Sequence, residues 1–352
     1  MYLILALLFF SVSLSLISSI IFLTIAHKIG IIDEPGGRKQ HKNKTPLIGG
    51  IIIFTGFLAF PIYRFNTYDF LLYLLIFSTL LIGLIDDLFE IKAYLRLIFQ
   101  VLIGYLLVRL LDLKLDNFGN LLGFGKLFLH GYSIFFICFA TAATKNAINM
   151  IDGVDGLAAS LALLPLSILF FIFYRAGAFD LANFSITIIG GLLVFIFLNF
   201  PFPWRNSAAC FLGDSGSTLL GFVVVYLLIK SASMGLIKPV LALYLFAVPL
   251  IDSAGVISRR LMRGAALSVA GRDHFHHVLL DCGLSPRQTT LFILALGVVM
   301  ASFGIILDHQ NVSEFILFYV FLCVIFLHLI IVKFFDSLIR ITIVFLKKIL
   351  PY

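Results

Sequence analysis

The chain has 352 residues, 61% of them hydrophobic and 12% charged, with a net charge of +7 and a mean hydropathy of +1.12. This excludes a soluble globular domain and reads as an integral membrane protein, with room for about ten or eleven spans of roughly 20 residues each. The basic balance fits anionic lipid and a phosphorylated substrate and is no mark of nucleic-acid binding, and the four cysteines, Cys138, Cys210, Cys282 and Cys323, are too dispersed for a CxxC pair or a disulfide framework.

Residues 3–26 form the first apolar run. No basic residue precedes it and no small-residue cleavage site follows, so it reads as a span and not a signal peptide. A polar loop follows, His27 to Pro46, carrying Lys28, Arg38, Lys39, His41, Lys42 and Lys44. Further spans are predicted at 47–63, 70–85, 94–111, 131–148, 157–174, 183–199, 215–230, 238–253, 288–307 and 314–333. The loop 112–130 is rich in Gly and Leu and reads as a small hairpin. Residues 334–352 form a basic, apolar tail suited to the membrane surface. No repeat of 20–50 residues is visible, so 1–352 reads as a single domain. This is an all-α polytopic membrane protein with about eleven transmembrane helices. With the amino terminus outside, 18 of the 25 Lys and Arg residues fall on the inner side, which makes the carboxyl terminus cytoplasmic.

On this map five polar clusters share the inner face. In the stretch Lys145 to Leu157, Asn146, Asn149, Asp152 and Asp155 recur at three-residue steps, and residues so spaced share one side of a helical turn. Polar groups at membrane depth are costly and usually functional, although a helix-capping loop would use the same residue types. Asp86 and Asp87 end a short apolar run, and adjacent acids need a cation, a proton or a metal. Arg96 follows and could hold a phosphate, or it is simply their counter-charge. Asp214 lies among small residues after the Pro-rich break Phe200 to Trp204. It is either a helix cap or an open hard-oxygen ligand for Mg²⁺. The run Arg272-Asp273-His274-Phe275-His276-His277, with Arg259, Arg260 and Arg263, reads as zinc ligands, as a solvated basic loop, or, best, as cationic donors to a pyrophosphate or sugar. Gly49-Gly50 permits either close backbone approach to a ligand or helix packing. Together the clusters describe a site where a lipid phosphate meets a soluble phosphorylated molecule, and phosphoryl transfer needs such positioning and charge neutralisation.

Asp86-Asp87, the run Asn146 to Leu157, Phe211-Leu-Gly-Asp214 and His274-Phe-His276-His277 resemble, in order, the motifs of the polyprenyl-phosphate N-acetylhexosamine-1-phosphate transferases, the glycosyltransferase 4 superfamily. Arg38-Lys39-Gln40-His41, Pro46, Gly49-Gly50 and the His-x-His-His spacing look like its bacterial UDP-GlcNAc branch. The resemblance implies transfer of GlcNAc-1-phosphate from UDP-GlcNAc to undecaprenyl phosphate in the bacterial inner membrane. It also implies a cytoplasmic active site, release of UMP, and the first membrane step of a surface polysaccharide such as O-antigen or teichoic acid. It implies Mg²⁺, with Mn²⁺ as the alternative, held by Asp214 and Asn149. Asp86 and Asp87 would orient or deprotonate the lipid phosphate. Asn146, Asp152 and Asp155 would line the nucleotide pocket, Asp155 also counting among the catalytic acids. His274, His276, His277 and Arg272, with Arg96, Lys39 and His41, would bind substrate. The family often has Asp where this chain has Glu90. Other UDP-HexNAc donors, UDP-MurNAc-pentapeptide and a homodimeric state stay open. A secondary transporter is the rival from another class, but its acids should sit at the midplane between inverted repeats. A lipid phosphomonoester is already largely anionic near neutral pH, which favours direct in-line attack over a phospho-enzyme.

Overall fold

Hydrocarbon offers no water to backbone amides, so long apolar runs satisfy them internally as helices. The structure, a computed structural model, describes residues 2–34, 44–64, 67–205, 207–264, 271 and 273–349, with side chains as far as 335 except those of 67 and 68. Helix α1 (Tyr2–Ile29) leads into two short antiparallel strands, β1 (Ile32–Asp33) and β2 (Thr45–Pro46). Next come α2 (Gly49–Phe57), α3 (Ala59–Tyr63), α4 (Thr67–Phe89), α5 (Ala93–Leu111), α6 (Ser133–Ile151), α7 (Leu157–Arg175) and α8 (Phe179–Asn199). The chain closes with α9 (Gly213–Ser233), α10 (Pro239–Leu245), α11 (Ala247–Met262), α12 (Phe275–Asp281), α13 (Pro286–His309) and α14 (Glu314–Ile349).

Every predicted span contains a helix, and the chain is an all-α polytopic membrane protein. Among the described residues, nine helices are long and apolar enough to cross a bilayer. Two predicted spans are broken instead. In 47–63 the break at Leu58 follows from Pro61, which has no N–H for the carbonyl of Phe57. In 238–253 α10 and α11 meet at 84°, where Pro249 deprives the carbonyl of Leu245 in the same way. The hairpin expected at 112–130 is present: Phe118 N donates to Leu127 O and Leu127 N to Gly119 O, both at 2.9 Å. Asn120 N ties it to the Glu314 carboxylate at the start of α14. The basic tail continues α14 as helix to Ile349.

Helix α9 is the hub. It is 83% buried against 17% for the membrane window of α14, and it rests on α2, α4, α6 and α7. A helix apolar on all sides, as the run Phe222–Ile229 is, must be enclosed. Its first turn is made of small residues, and its neighbours meet it with glycine. A Cβ on Gly83 would lie 2.4 Å from Ser215 Cα, and one on Gly50 would lie 2.7 Å from Gly216 N. Gly49-Gly50 therefore serves helix packing. Gly49 N also donates to Phe211 O (3.0 Å), and Phe211 N to Pro46 O (2.8 Å), which ties the start of α2 to the segment before α9.

These contacts sort the polar residues to two ends. The carboxyl ends of α4 and α6 and the amino end of α9 meet at one. At the other, Arg64 pairs with Asp180 and lies 3.2 Å from Asp69. Lys145 belongs to neither loop layer. It is buried inside the bundle, its Nζ 3.5 Å from Thr79 Oγ1 and 5.6 Å from the centre of the Phe222 ring. Its charge therefore drops out of the count of loop charges. Gly83→Ala forces backbone apart at the hub and should cost about 1–3 kcal/mol, the usual range for overpacking. Thermal unfolding in detergent measures this, and an unchanged midpoint would remove the packing role.

Candidate active site

The site starts where α4 meets α9. Asp86 is 4% exposed; its Oδ1 accepts Ile91 N (2.7 Å) and its Oδ2 accepts Arg96 Nη1 (3.1 Å). Arg96 also reaches within 3.8 Å of Asp214 Oδ2, so one guanidinium spans two carboxylates. Asp87 turns the other way. Its Oδ1 accepts Asp214 N (2.7 Å) and its Oδ2 accepts Ser215 N (3.0 Å). The first amides of a helix have no intrahelical partner, and here a carboxylate from another helix supplies it. Asp214 is thus not the cap of α9 but a first-turn residue with its side chain turned to the site. Glu90 is exposed and left-handed, at φ +49°, a conformation that Asp and Asn adopt more readily than Glu.

The end of α6 completes the acid corner. Asn149 Nδ2 donates to Asp214 Oδ1 and to Ser217 Oγ, the latter at 3.1 Å. Its amide oxygen is then the atom left to act as a ligand. Asn146, one turn earlier, is committed elsewhere. Its Nδ2 donates to Gln100 Oε1 (2.7 Å) and to Ala142 O (2.8 Å), pinning α6 to α5. Asp152 follows the last turn of α6 and is exposed. It touches water yet has protein on its other sides, and this desolvation, with the negative charges of Asp214, Asp155 and Asp87, holds its carboxyl well above the ordinary range. The corner beyond it is braced. Asn199 Oδ1 accepts Gly156 N while Asn199 Nδ2 donates to Cys210 O (2.8 Å), and Thr290 Oγ1 donates to Asp155 O (3.0 Å).

The histidine loop packs on this corner. His276 is 1% exposed, and a Cβ on Gly153 would lie 2.2 Å from its Nε2, so only glycine lets the ring sit there. His274 and His276 stack with centroids 5.5 Å apart, and His276 and His277 lie 4.2 Å apart. Arg259 and Arg260, expected among the cationic donors, are instead buried braces: Arg259 Nη2 donates to Asp273 O (2.5 Å) and Arg260 Nε lies 3.2 Å from Asp273 Oδ2. Lys39, His41 and Arg272 lie outside the described residues. Asp86, Asp87, Arg96, Asn149, Asp152, Asp214 and His276 are thus gathered at one end of the bundle, and Asp155 lies at the braced edge of the same corner.

A family model described as glycosyl transferase family 4 matches residues 70–232, the part of the chain from α4 to α9. The chain is also 35% identical over 314 residues to a Haemophilus influenzae protein named undecaprenyl-phosphate alpha-N-acetylglucosaminyl 1-phosphate transferase, covering 88% of each. The chain belongs to glycosyl transferase family 4. Relatives of the same name occur in Pasteurella multocida, at 36% identity over 86% of each chain, and in Escherichia coli, at 32% over 90%. The family model covers every acid of the corner; the histidine loop lies beyond it.

Gln100, Ser217 and Asn199 were missed by sequence reasoning. Gln100 had one available mark, as a polar residue alone in an apolar run. Ionisation of Asp152 opposes folding, because its folded pKa lies above the unfolded one; stability is lost as pH rises from the ordinary carboxylate range towards that elevated value. Asp152→Asn should therefore raise the thermal midpoint of cation-free protein at about pH 8 and leave it nearly unchanged at about pH 4. Equal shifts at both would refute the raised carboxyl.

Proposed function

We propose that this membrane enzyme transfers GlcNAc-1-phosphate from UDP-GlcNAc to undecaprenyl phosphate, giving undecaprenyl-pyrophosphoryl-GlcNAc and UMP. The observation that carries the reading is the meeting of Asp86, Asp87, Asn149, Asp152 and Asp214 where α4, α6 and α9 converge. It is supported by relatives whose names state this activity. The whole chain acts as one domain in the bacterial inner membrane. Counting α2–α3 and α10–α11 as broken crossings gives eleven, with the amino terminus outside and the acid corner facing the cytoplasm, the side the Lys and Arg bias favours.

The roles follow from the hydrogen bonds. The reading takes Mg²⁺, or Mn²⁺ in its place, as the cation, since it takes one or two protein carboxylates and completes its shell from substrate phosphate and water. Asp214 and the Asn149 amide oxygen would hold it beside Asp152. Bound there, the cation would neutralise charge on the pyrophosphate. Asp87 sets the position of Asp214 by gripping its amide. Asp86 holds Arg96 at the edge of the corner, where the guanidinium can receive a lipid phosphate. Both oxygens of Asp86 and of Asp87 already accept protein hydrogens. This favours the lipid phosphate itself as the nucleophile, attacking in line with displacement of UMP. Asp155 and Asp152 line the nucleotide side, while His274, His276, His277, Arg272, Lys39 and His41 serve the sugar and the pyrophosphate. The lipid tail stays in the bilayer.

Purified protein in detergent should release UMP from UDP-GlcNAc with undecaprenyl phosphate, and EDTA should abolish the release. UDP-GalNAc and UDP-MurNAc-pentapeptide should be poor donors; turnover with one of them alone would keep the chemistry and change the substrate. Asp214→Asn should lower turnover by about 100-fold or more, since a metal ligand contributes several kcal/mol to the transition state. Full activity of that variant at saturating Mg²⁺ removes Asp214 as a ligand. A phosphorylated aspartate trapped with UDP-GlcNAc alone would overturn direct attack.

A further inference from the structure

Asp252 lies outside the acid corner, on α11, just past the 84° bend. It is 2% exposed. A carboxylate so enclosed is costly unless its oxygens are occupied, and both are. Oδ2 lies 2.8 Å from His274 Nδ1, and Oδ1 accepts Phe275 N at 2.9 Å. When Asp252 is ionised its carboxylate can only accept, and this contact then calls for the proton of His274 on Nδ1. His328 on α14 closes the far side, its Nε2 4.0 Å from Oδ1, and its ring packs edge-on against Phe275 at 5.4 Å.

The bonds around Asp252 form a set. Asp252, Arg259 and Arg260 are seven and eight residues apart and so share one face of α11. That face grips the incoming loop at three consecutive residues: Asp273 through the two arginines, then His274 and Phe275 through Asp252. The grip fixes the ring of His274 and the first turn of α12. His276, the second residue of α12, is stacked on His274 and seated over Gly153. The corner of α6 and residues 273–276 are thus registered to each other through a chain that begins at Asp252.

We infer that Asp252 is a positioning residue: by orienting His274 and the start of α12, it presents the histidine loop to the acid corner. The inference rests on the proposed transfer reaction for its kinetic readout, and on the hydrogen bonds alone for its structural one. In turnover assays, Asp252→Asn should raise the KM for UDP-GlcNAc by about 10-fold or more, in keeping with loss of a buried charge-assisted hydrogen bond, with a much smaller change in kcat. His274→Ala should do the same, and the double variant should be no worse than the worse single one, because the two residues act as one unit. Asp252→Glu should recover part of the loss. In parallel, hydrogen exchange at 273–281 should rise in Asp252→Asn while α4, α6 and α9 stay protected. Additive losses in the double variant, or an unchanged exchange pattern in folded protein, overturn the role. Wild-type protein inert with UDP-GlcNAc and undecaprenyl phosphate would instead sink the proposed reaction, and the exchange arm would still decide the placement of the loop.

Discussion

A carboxylate seated on a helix end holds this molecule's chemistry in place. Asp87 accepts the amides of Asp214 and Ser215, and two costs cancel in doing so. A carboxylate partly withdrawn from water is costly unless hydrogen-bonded, and the opening amides of a buried helix are costly unless capped. The helix dipole adds to the attraction. Because Asp87 grips the amide of Asp214, the side chain of Asp214 is free to turn towards Asn149 and Arg96. The neighbouring Asp86 faces the opposite way and fixes Arg96. Two adjacent acids are thus kept apart by being given different partners.

Around this contact the packing follows from size. Gly50 and Gly83 allow backbones to touch at the first turn of α9, as small residues do in membrane interfaces where no hydrophobic force pulls helices together. Below it the fit is apolar, with Lys145 enclosed between Thr79 and Phe222. Above it the polar residues bond one another in pairs: Asn146 with Gln100, Asn199 with the Gly156 corner, Asp252 with His274.

The helices and the acid positions were legible from the chain, because apolar run length and lone acids at helix ends are local properties. Helix breaks at Leu58 and Phe246 were legible in principle from Pro61 and Pro249, but run length outweighed them. What stayed hidden was partnership. Nothing near Asp87 indicates that it binds amides more than a hundred residues later. Asn146 and Asn149 look equivalent at their three-residue spacing, yet one is spent on Gln100 and the other faces Asp214. Arg259 and Arg260 look like substrate cations until Asp273 is seen to occupy them. Lys145 looks like a loop charge until α6 is seen to run on to Ile151.

The enclosure of α9 bears on how such a chain can be assembled. Among the described residues, the helices it rests on most, α2, α4, α6 and α7, all precede it in the chain, while α10, which follows, touches it less. Synthesis runs from the amino terminus and earlier parts settle first. When the polar turn Gly213–Ser217 emerges, the carboxylate of Asp87 and the glycines that receive it are already in the bilayer. The order of the chain has partners for its leading amides in place before this segment arrives, and its docking completes the acid corner on which the later histidine loop packs.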